Sequence, residues 1–395
     1  MAKVVGVTPD VLVWARESAN LSIDDVARSL KKAPEVVEAW EDPDTDVLPS
    51  YGQLEKLAYS LYKRPLAVFF FPERPVEEDV RAEFRLLPDS ELAALEPDTL
   101  LAAREAYSMQ DSLRELTGGR NLAEDLIHRD IHARRTRTLE ALVARVRDYL
   151  GISLEQQSEW LSTEEAFKGW RSAVEAKGVY VFKRSIKQKT ISGFCLTDDE
   201  FPVIYINNST PHSRQIFTLF HELAHLLYAV SGVTKTDTSF VDQLSSTDKA
   251  LEVKCNRFAG AFLVPDDSFA RFLESWDGTE EQIGQIAGIY NVSREVILRK
   301  FLDAETIAQK AYEDLVAKWN ADYLRQQELK KERQKERGGG GSYYATQATY
   351  LGDAYLDLSF GRYYSGACSL DELAGHLNIK AKSVSRLEAY LTGGA

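Results

Sequence analysis

The sequence predicts a mostly helical α+β protein. Three features support this fold class: helix-type apolar spacing with Pro and Ser start signals before residue 150, three short strand-like segments between residues 178 and 206, and helical segments again after Pro211. We therefore expect an N-terminal all-α helix-turn-helix domain, a central domain that combines a small sheet with helices, and a C-terminal helical tail.

The composition limits the number of domains and the classes of partner. A chain of 395 residues with 44% hydrophobic residues is too long for one small core and indicates two or three domains. The net charge of −13 disfavours general binding of nucleic acid, because an acidic surface repels phosphate. Any DNA contact must therefore come from a local basic patch.

The sequence carries no signal for a membrane or for secretion. No apolar run approaches the roughly 20 residues that a membrane helix needs, and the first 20 residues lack an apolar block followed by a cleavage site. Cys195, Cys255 and Cys368 are far apart and form no CxxC pair. We therefore expect a cytoplasmic protein with no cysteine zinc knuckle and no membrane partner.

The first 150 residues are predicted to be helical. Residues 1–75 form the expected helix-turn-helix domain, whose helix start signals are Pro9, Ser22, Pro34 and Ser50. Residues 76–150 are rich in Ala, Leu, Glu and Arg, and we interpret them as a helical connector.

The central domain is predicted to span residues 151–303. Strand-type residues dominate the segments 178–182, 190–196 and 201–206. Two helices are expected after them, one from Pro211 to Tyr228 and one from about Thr247 to Val264, before Pro265.

The last quarter of the chain is predicted to be helical with one joint. Residues 304–342 contain a charged helix, in which 326–337 is nearly all Gln, Glu, Lys and Arg, followed by the flexible Gly-rich joint 338–342. The joint is compatible with a natural or an engineered origin. Residues 343–395 are expected to form a small aromatic-rich helical domain.

A weak internal repeat links three parts of the chain. The pairs Val26-Ala27, Ile286-Ala287 and Leu373-Ala374 are each followed, eleven positions after the first residue, by Val37, Ile297 and Val384 respectively. This spacing is typical of the core of two helices joined by a tight turn.

The segment His221-Glu222-Leu223-Ala224-His225 is the strongest chemical signal. Residues four apart in a helix share one face, so His221 and His225 can bind one ion together. Glu222 lies about 100° further round the helix, beside the ion, where it can take a proton from water. The apolar neighbours indicate a buried helix, in which these side chains need a metal or, in the alternative interpretation, hydrogen-bond partners.

A catalytic zinc ion usually has three protein ligands and one open position. Glu252 is our candidate for the third ligand, because it lies 27 positions after His225 on the next predicted helix. Asn256 follows one turn later on the same face, and Ala259, Gly260 and Ala261 are small enough for the two helices to approach closely. From spacing alone the alternatives Asp237, Asp242, Asp248 and His212 stay open.

Two stretches, 214–225 and 252–265, resemble the ImmA/IrrE metallopeptidase family. The resemblance implies a zincin-like central domain that holds Zn²⁺ with His221, His225 and Glu252 and uses Glu222 as general base. It extends to an N-terminal helix-turn-helix of the phage-repressor (XRE) type and to the tail from Tyr343. It further implies a role in stress response, in which a repressor-like or other regulatory protein is cleaved or disabled.

The expected recognition helix, Pro34–Glu41, is unusual for a DNA reader. We expect it to expose Glu35, Glu38 and Glu41, which repel phosphate. The candidate DNA contacts nearby are Arg28, Lys31 and Lys32, and a second basic set, Lys380, Lys382 and Arg386, is interpreted as a solvated surface. The sequence leaves open whether this domain binds DNA or is a protein-binding or dimerising module that makes a homodimer.

Two functional hypotheses follow. The first is a zinc metallo-endopeptidase whose substrate is a regulatory protein, such as a toxin or repressor encoded nearby. In this hypothesis the substrate binds as an added strand along residues 190–196. The second is a DNA-binding transcription regulator or antitoxin-like binding protein that keeps the zincin fold and cleaves little.

Overall fold

A computed structural model describes residues 6–77, 80–84, 87–235, 244–337 and 342–393. The described chain is mostly helical and contains one four-stranded sheet, which confirms the predicted α+β class. The Gly-rich segment 338–341 and the alternative ligands Asp237 and Asp242 lie outside the described residues. Among the described helices, none has the length and apolar character needed to cross a membrane.

The chain divides into two compact units. The first runs to Ser108 and includes Ile186–Ile191; the second contains Met109–Ser185, Ser192–Lys235 and the chain from Ser246 onward. The expected boundaries of the five domains are not tested by this division and stay predictions.

The first unit begins with a series of short helices. Its α-helices are α1 (Pro9–Ser18), α2 (Ile23–Leu30), α3 (Pro34–Glu41), α4 (Tyr51–Glu55), α5 (Asp89–Ala93) and the start of α6 (Pro97–Thr117). A π-helix (Lys56–Tyr62) extends α4, and 3-10 helices cover Leu66–Phe70 and Val80–Phe84. Pro9 and Pro34 occupy first-turn positions, and Ser22 forms a capping box with Asp25. The predicted helix starts are therefore confirmed.

The second unit contains the remaining helices. Before the sheet come α7 (Ile127–Asp130), a 3-10 helix (Ala133–Arg135), α8 (Leu139–Leu150), α9 (Leu154–Glu159) and α10 (Thr163–Glu175). After it come α11 (His212–Leu227), α12 (Ser246–Leu263), α13 (Asp266–Glu274), α14 (Glu280–Tyr290), α15 (Arg294–Asp303) and α16 (Gln309–Arg337). The C-terminal helices are α17 (Tyr343–Leu351), α18 (Asp353–Tyr364), α19 (Leu370–His376) and α20 (Ala381–Leu391).

The sheet has the strand order β1-β3-β2-β4. Its strands are β1 (Tyr180–Arg184), β2 (Ile191–Leu196), β3 (Val203–Asn207) and β4 (Gly232–Lys235). β1 pairs with β3 in parallel, and β2 pairs with β3 in an antiparallel arrangement. The three predicted strands are confirmed, but β4 was not predicted, because four residues with one large apolar side chain show no usable alternation.

The strand order corrects one expectation about the substrate. β2 lies between β3 and β4, so both of its backbone edges are already paired. A peptide adds to a free sheet edge, so the prediction that β2 holds the substrate is wrong.

The core of the second unit lies where α10, α11 and α12 pack together next to the sheet. Trp170 of α10 makes edge contacts with Phe220 of α11 and Phe262 of α12, with ring centroids 4.9 and 5.3 Å apart. Because Phe220 immediately precedes His221, this aromatic packing fixes the rotation of α11 about its axis.

Candidate metal centre

The predicted metal-binding segment lies in α11, a helix that is buried along most of its length. α11 follows Pro211, and its residues from Gln215 to Leu227 are buried except Phe217. His221, Glu222 and His225 are at most 1% exposed. Burying two imidazoles and a carboxyl group costs free energy unless each has a partner, so their neighbours determine what they can do.

The structure brings the three predicted ligands together. The Nε2 atoms of His221 and His225 are 3.0 Å apart, and each lies close to the Glu252 carboxylate, at 3.3 and 3.2 Å respectively. Three ligand atoms, one from each residue, lie within 4.8 Å of one another. Ligands held at about 2.0–2.1 Å in a tetrahedral zinc site are separated by about 3.3 Å, so the spacing fits a zinc-sized cation.

Glu252 reaches this position because α12 packs along α11. Its side chain is 2% exposed. Burial alone would raise the pKa of the Glu252 carboxyl. The hydrogen bonds and charges of His221 and His225 outweigh this effect and lower the pKa to about 2. Glu252 is therefore an anion at neutral pH and supplies the negative charge that a divalent cation needs.

Small residues contribute unequally to this helix contact. Ala259 is fully buried, whereas a Cβ on Gly260 would meet no atom within 4 Å. The expectation that Gly260 permits close approach of α11 and α12 is therefore wrong, because this residue lies away from the contact.

Asn256 determines which nitrogen of His221 is free. Its Oδ1 lies 3.0 Å from Nδ1 of His221, and an amide oxygen only accepts, so Nδ1 must donate. The lone pair of His221 then lies on Nε2, which faces Nε2 of His225 and the Glu252 carboxylate. Lone pairs this close need a cation or a proton between them, as ligands of a metal do.

Glu222 lies beside the three clustered side chains, and its two carboxylate oxygens differ in their hydrogen bonding. The hydroxyl of Thr234 on β4 donates to Oε1 of Glu222. Oε2 is buried and has no hydrogen-bond partner among the described residues. An oxygen in this state can receive a proton from a water molecule that enters the site.

The sequence of this region matches a known family. A family model described as the IrrE N-terminal-like domain, in the peptidase M78 family, matches residues 174–302, which include all four residues of the site. The match covers about a third of the chain, and we call residues 174–302 the IrrE-like domain because of this similarity. A peptidase family of this type implies a divalent metal ion, and the three clustered side chains of the IrrE-like domain can hold one.

One curated relative supports the assignment of the IrrE-like domain. The radiation response metalloprotease IrrE of Deinococcus radiodurans is 30% identical over 96 residues, which cover 24% of this chain and 29% of the relative. The match thus spans less than a third of that protein's length. A solved Mycobacterium tuberculosis transcriptional regulator is 20% identical, covering 41% of this chain and 46% of that one, with a TM-score of 0.28, too low to bear on fold or function.

The remaining candidate ligands lie apart from the cluster of His221, His225 and Glu252. His212 is at the first position of α11, where its ring is 6.4 Å from the ring of Phe167, and Asp248 is in the first turn of α12. Neither belongs to the ligand cluster found among the described residues. Burial raises the pKa of the Cys195 and Cys255 thiols, and neither thiol belongs to the ligand cluster found among the described residues.

The predicted DNA contacts are at the surface of the first unit. Arg28 pairs with Asp25 at 3.1 Å, and Lys31 and Lys32 are exposed. Glu35 and Glu38 are exposed as expected, but the prediction for Glu41 is wrong: its side chain is 8% exposed and pairs with Arg16 at 2.8 Å. A contact with a residue 25 positions away cannot be seen in the spacing of one helix.

Sequence reasoning missed two residues next to the site, Gly232 and Thr234. Both lie on β4, the unpredicted strand. The sequence around them contains no motif, and only their contacts with His225 and Glu222 identify them.

Proposed function

We propose that this protein is a zinc-dependent endopeptidase in which His221, His225 and Glu252 bind the ion and Glu222 is the general base. One observation carries the proposal: two imidazole nitrogens and a carboxylate from the next helix converge at 3.0–3.3 Å inside the core, beside a second carboxylate. A buried cluster of this kind is stable only if it binds a cation or shares protons.

The donor set favours zinc among divalent cations. Two imidazoles and one carboxylate are a common ligand set of catalytic zinc, whereas magnesium and calcium prefer oxygen ligands. When bound there, zinc would supply Lewis acidity, which polarises a carbonyl group and makes water more acidic.

Glu222 would carry the proton in this reaction. Thr234 holds Oε1, so Oε2 accepts the proton of the attacking water and later returns it to the amine of the departing peptide. The burial of Glu222 excludes bulk water, which would otherwise compete for this oxygen.

The proposed substrate is a protein, and we infer a regulatory one. The relative's printed name describes a metalloprotease of the radiation response, and this is consistent with a repressor-like or other regulatory target, for example one encoded nearby. DNA binding by the first unit gains no support, since α3 exposes Glu35 and Glu38. Contacts of Arg28, Lys31 and Lys32 with DNA, and a homodimer, stay predictions.

The test compares wild type with Glu222→Gln. Both proteins, loaded with Zn²⁺, are incubated with a protein extract of the source cells, and new N-termini are labelled and identified by mass spectrometry. We expect cleavage sites that appear with wild type and are lost by at least about 100-fold with Glu222→Gln, since general base catalysis contributes about 10²–10⁴-fold.

The zinc content of variants distinguishes the proposed base, Glu222, from the proposed metal ligands. Glu222→Gln should retain one zinc per chain, whereas His221→Ala should lose it, and His212→Ala, a change on the same helix outside the ligand cluster, should retain it. Cleavage that persists in Glu222→Gln, or zinc that persists in His221→Ala, would contradict the proposed roles.

A further inference from the structure

Strand β4 places two of its residues against the functional face of α11. Gly232 and Thr234 are two positions apart, so both face the same side of the sheet. Gly232 lies against the ring of His225, and Thr234 hydrogen-bonds to Glu222. A single short strand thus touches one proposed metal ligand and the proposed base.

The contact at Gly232 leaves no room for a side chain. A Cβ built on Gly232 would lie 2.5 Å from Cγ, 2.6 Å from Cδ2 and 2.7 Å from Nδ1 of His225. These atoms belong to a rigid ring that is fully buried, so the ring cannot turn away as a flexible side chain would. Any residue other than glycine at this position must displace the imidazole or the strand.

Two neighbours hold the ring of His225. The backbone of Gly232 on β4 lies against it, and the buried Cys255 thiol on α12 interacts with the same ring, whereas Nδ1 of His221 bonds to the Asn256 amide oxygen. The orientation of His225 therefore depends on β4 as well as on α12.

The contact at Thr234 acts on the other function of the site. Thr234 is 4% exposed, and its hydroxyl donates to Oε1 of Glu222 while Oε2 has no described partner. This bond holds Oε1 and so orients the carboxylate, which the buried Cys195 thiol also approaches, but it touches none of the three proposed metal ligands.

We propose that Gly232 and Thr234 are separate positioning residues, Gly232 for the metal ligand His225 and Thr234 for the base Glu222. The inference rests on the proposed function, and it assigns to β4 the alignment of ligand and base on α11. Its consequence is that the two residues affect different measurements: Gly232 controls metal affinity, and Thr234 controls the rate of cleavage.

The first experiment measures the affinity for Zn²⁺ by competition with a chromophoric chelator, together with the visible absorption of the Co²⁺-loaded protein. We expect Gly232→Ala to weaken Zn²⁺ binding by at least about tenfold and to change the Co²⁺ spectrum, as loss of ligand support does in metal sites. The matched control is Gly260→Ala, in which the added Cβ meets no atom within 4 Å, and it should bind as wild type does.

Thr234 is tested with Thr234→Val, which removes the hydroxyl at nearly constant volume, and with Thr234→Ser, which restores it. We expect Thr234→Val to keep the Zn²⁺ affinity of wild type and to lower the rate of cleavage at the sites that depend on Glu222. Thr234→Ser should recover that rate. Equal rates for Thr234→Val and wild type, or equal losses of metal affinity in Thr234→Val and Gly232→Ala, would overturn the division of roles.

A double-mutant cycle that measures Tm tests the contact even if Gly232→Ala folds poorly. In the metal-free protein, Gly232→Ala should lower Tm in the wild-type background and lower it much less in a His225→Ala background, because removal of the ring makes room for the new Cβ. The corresponding cycle of Thr234→Val with Glu222→Leu, which removes the accepting oxygen, tests the second contact. Additive losses in these cycles would refute the contacts on which the inference depends.

The outcomes for this inference and for the proposed function are distinguishable. If wild type binds no Zn²⁺ with useful affinity, the endopeptidase proposal fails, whatever the variants do. If wild type binds Zn²⁺ and Gly232→Ala binds it equally well, the proposed function stands and the role of β4 is refuted.

Discussion

At the scale of single residues, Asn256 determines the tautomer of the proposed metal ligand His221. It contacts the ring at Nδ1, the nitrogen that faces away from the ligand cluster. Its Oδ1 accepts from Nδ1 of His221 at 3.0 Å and so leaves Nε2 with a lone pair. A residue outside the ligand set can therefore set metal affinity, because the wrong tautomer would present an N–H to the cation.

Replacing Asn256 by Leu should weaken Zn²⁺ binding by about 10–100-fold, the usual effect of losing such a partner. Asn256→Asp keeps an acceptor at the same position and should bind Zn²⁺ within a few-fold of wild type. Both affinities are measured by chelator competition, with circular dichroism to check that the fold is retained. Equal affinities for Asn256→Leu and Asn256→Asp would show that the hydrogen bond does not matter.

At the scale of elements, two helices are joined by the same kind of tight turn three times, in α2–α3, α14–α15 and α19–α20. The turn residues Lys31, Asn291 and Asn378 have φ of 55°, 55° and 51°, and the residue after each donates its N–H to the carbonyl oxygen of Ala27, Ala287 or Ala374 at 2.9–3.0 Å. The first helix of each pair therefore ends in the same left-handed cap.

The weak sequence repeat is confirmed by these three turns. All six of its core positions are at most 2% exposed: Val26, Val37, Ile286, Ile297, Leu373 and Val384. Eleven residues separate each pair because one helix end, a tight turn and one helix start bring these positions together. The surfaces differ, since α3 is acidic, α15 packs against α16, and α20 exposes Lys382 and Arg386.

Lys31 has a side chain in a backbone region that favours glycine or asparagine. Lys31→Gly should therefore raise the free energy of unfolding by about 0.5–1 kcal/mol. Lys32→Gly is the matched control, because Lys32 has no positive φ and its replacement should be neutral or destabilising. Thermal unfolding of the two variants measures the difference, and a loss of stability in Lys31→Gly would contradict the argument.

At the scale of the whole molecule, one arginine of the second unit connects parts of the chain that are far apart in sequence. Arg171 of α10 pairs with Glu175 at 3.0 Å, donates to the carbonyl oxygens of Thr349 and Leu351 at 2.9 and 2.8 Å, and also bonds to Val181 of β1. It thereby satisfies carbonyl groups at the end of α17, which a helix cannot pair internally.

Gly352 follows these carbonyls and is required there for two reasons. Its φ is +83°, and a Cβ would lie within 2.0–2.7 Å of the Arg171 guanidinium. The C-terminal helices are thus joined to α10 and β1 by a buried charge and a glycine, in addition to the ring contact of Tyr355 with Phe182 at 5.2 Å.

Arg171→Met should lower the free energy of unfolding by about 3–5 kcal/mol, because it leaves the Glu175 carboxylate buried without its cation. Burial already raises the pKa of Glu175, so adding Glu175→Gln should recover part of the loss. The control is Arg299→Met, which breaks an exposed pair of the same spacing with Asp303 and should cost at most about 1 kcal/mol. Denaturant unfolding with similar losses in both variants would rule out a structural role for Arg171.

The sequence by itself determined the parts of the site that depend on local spacing. His221, Glu222 and His225 are brought together by the helical repeat, and the helix starts at Pro9, Ser22 and Pro34 follow from backbone chemistry within a few residues. Glu252 was found because its family motif lies on the next helix, which returns along α11.

Only the tertiary structure decided what surrounds those residues. β4 brings Gly232 and Thr234 against α11, Asn256 faces His221, and Arg16 covers Glu41, and none of these contacts follows from a period of two or 3.6 residues. The physical reason is that side-chain direction within an element is a local property, whereas the identity of its neighbour depends on how distant segments pack into one core.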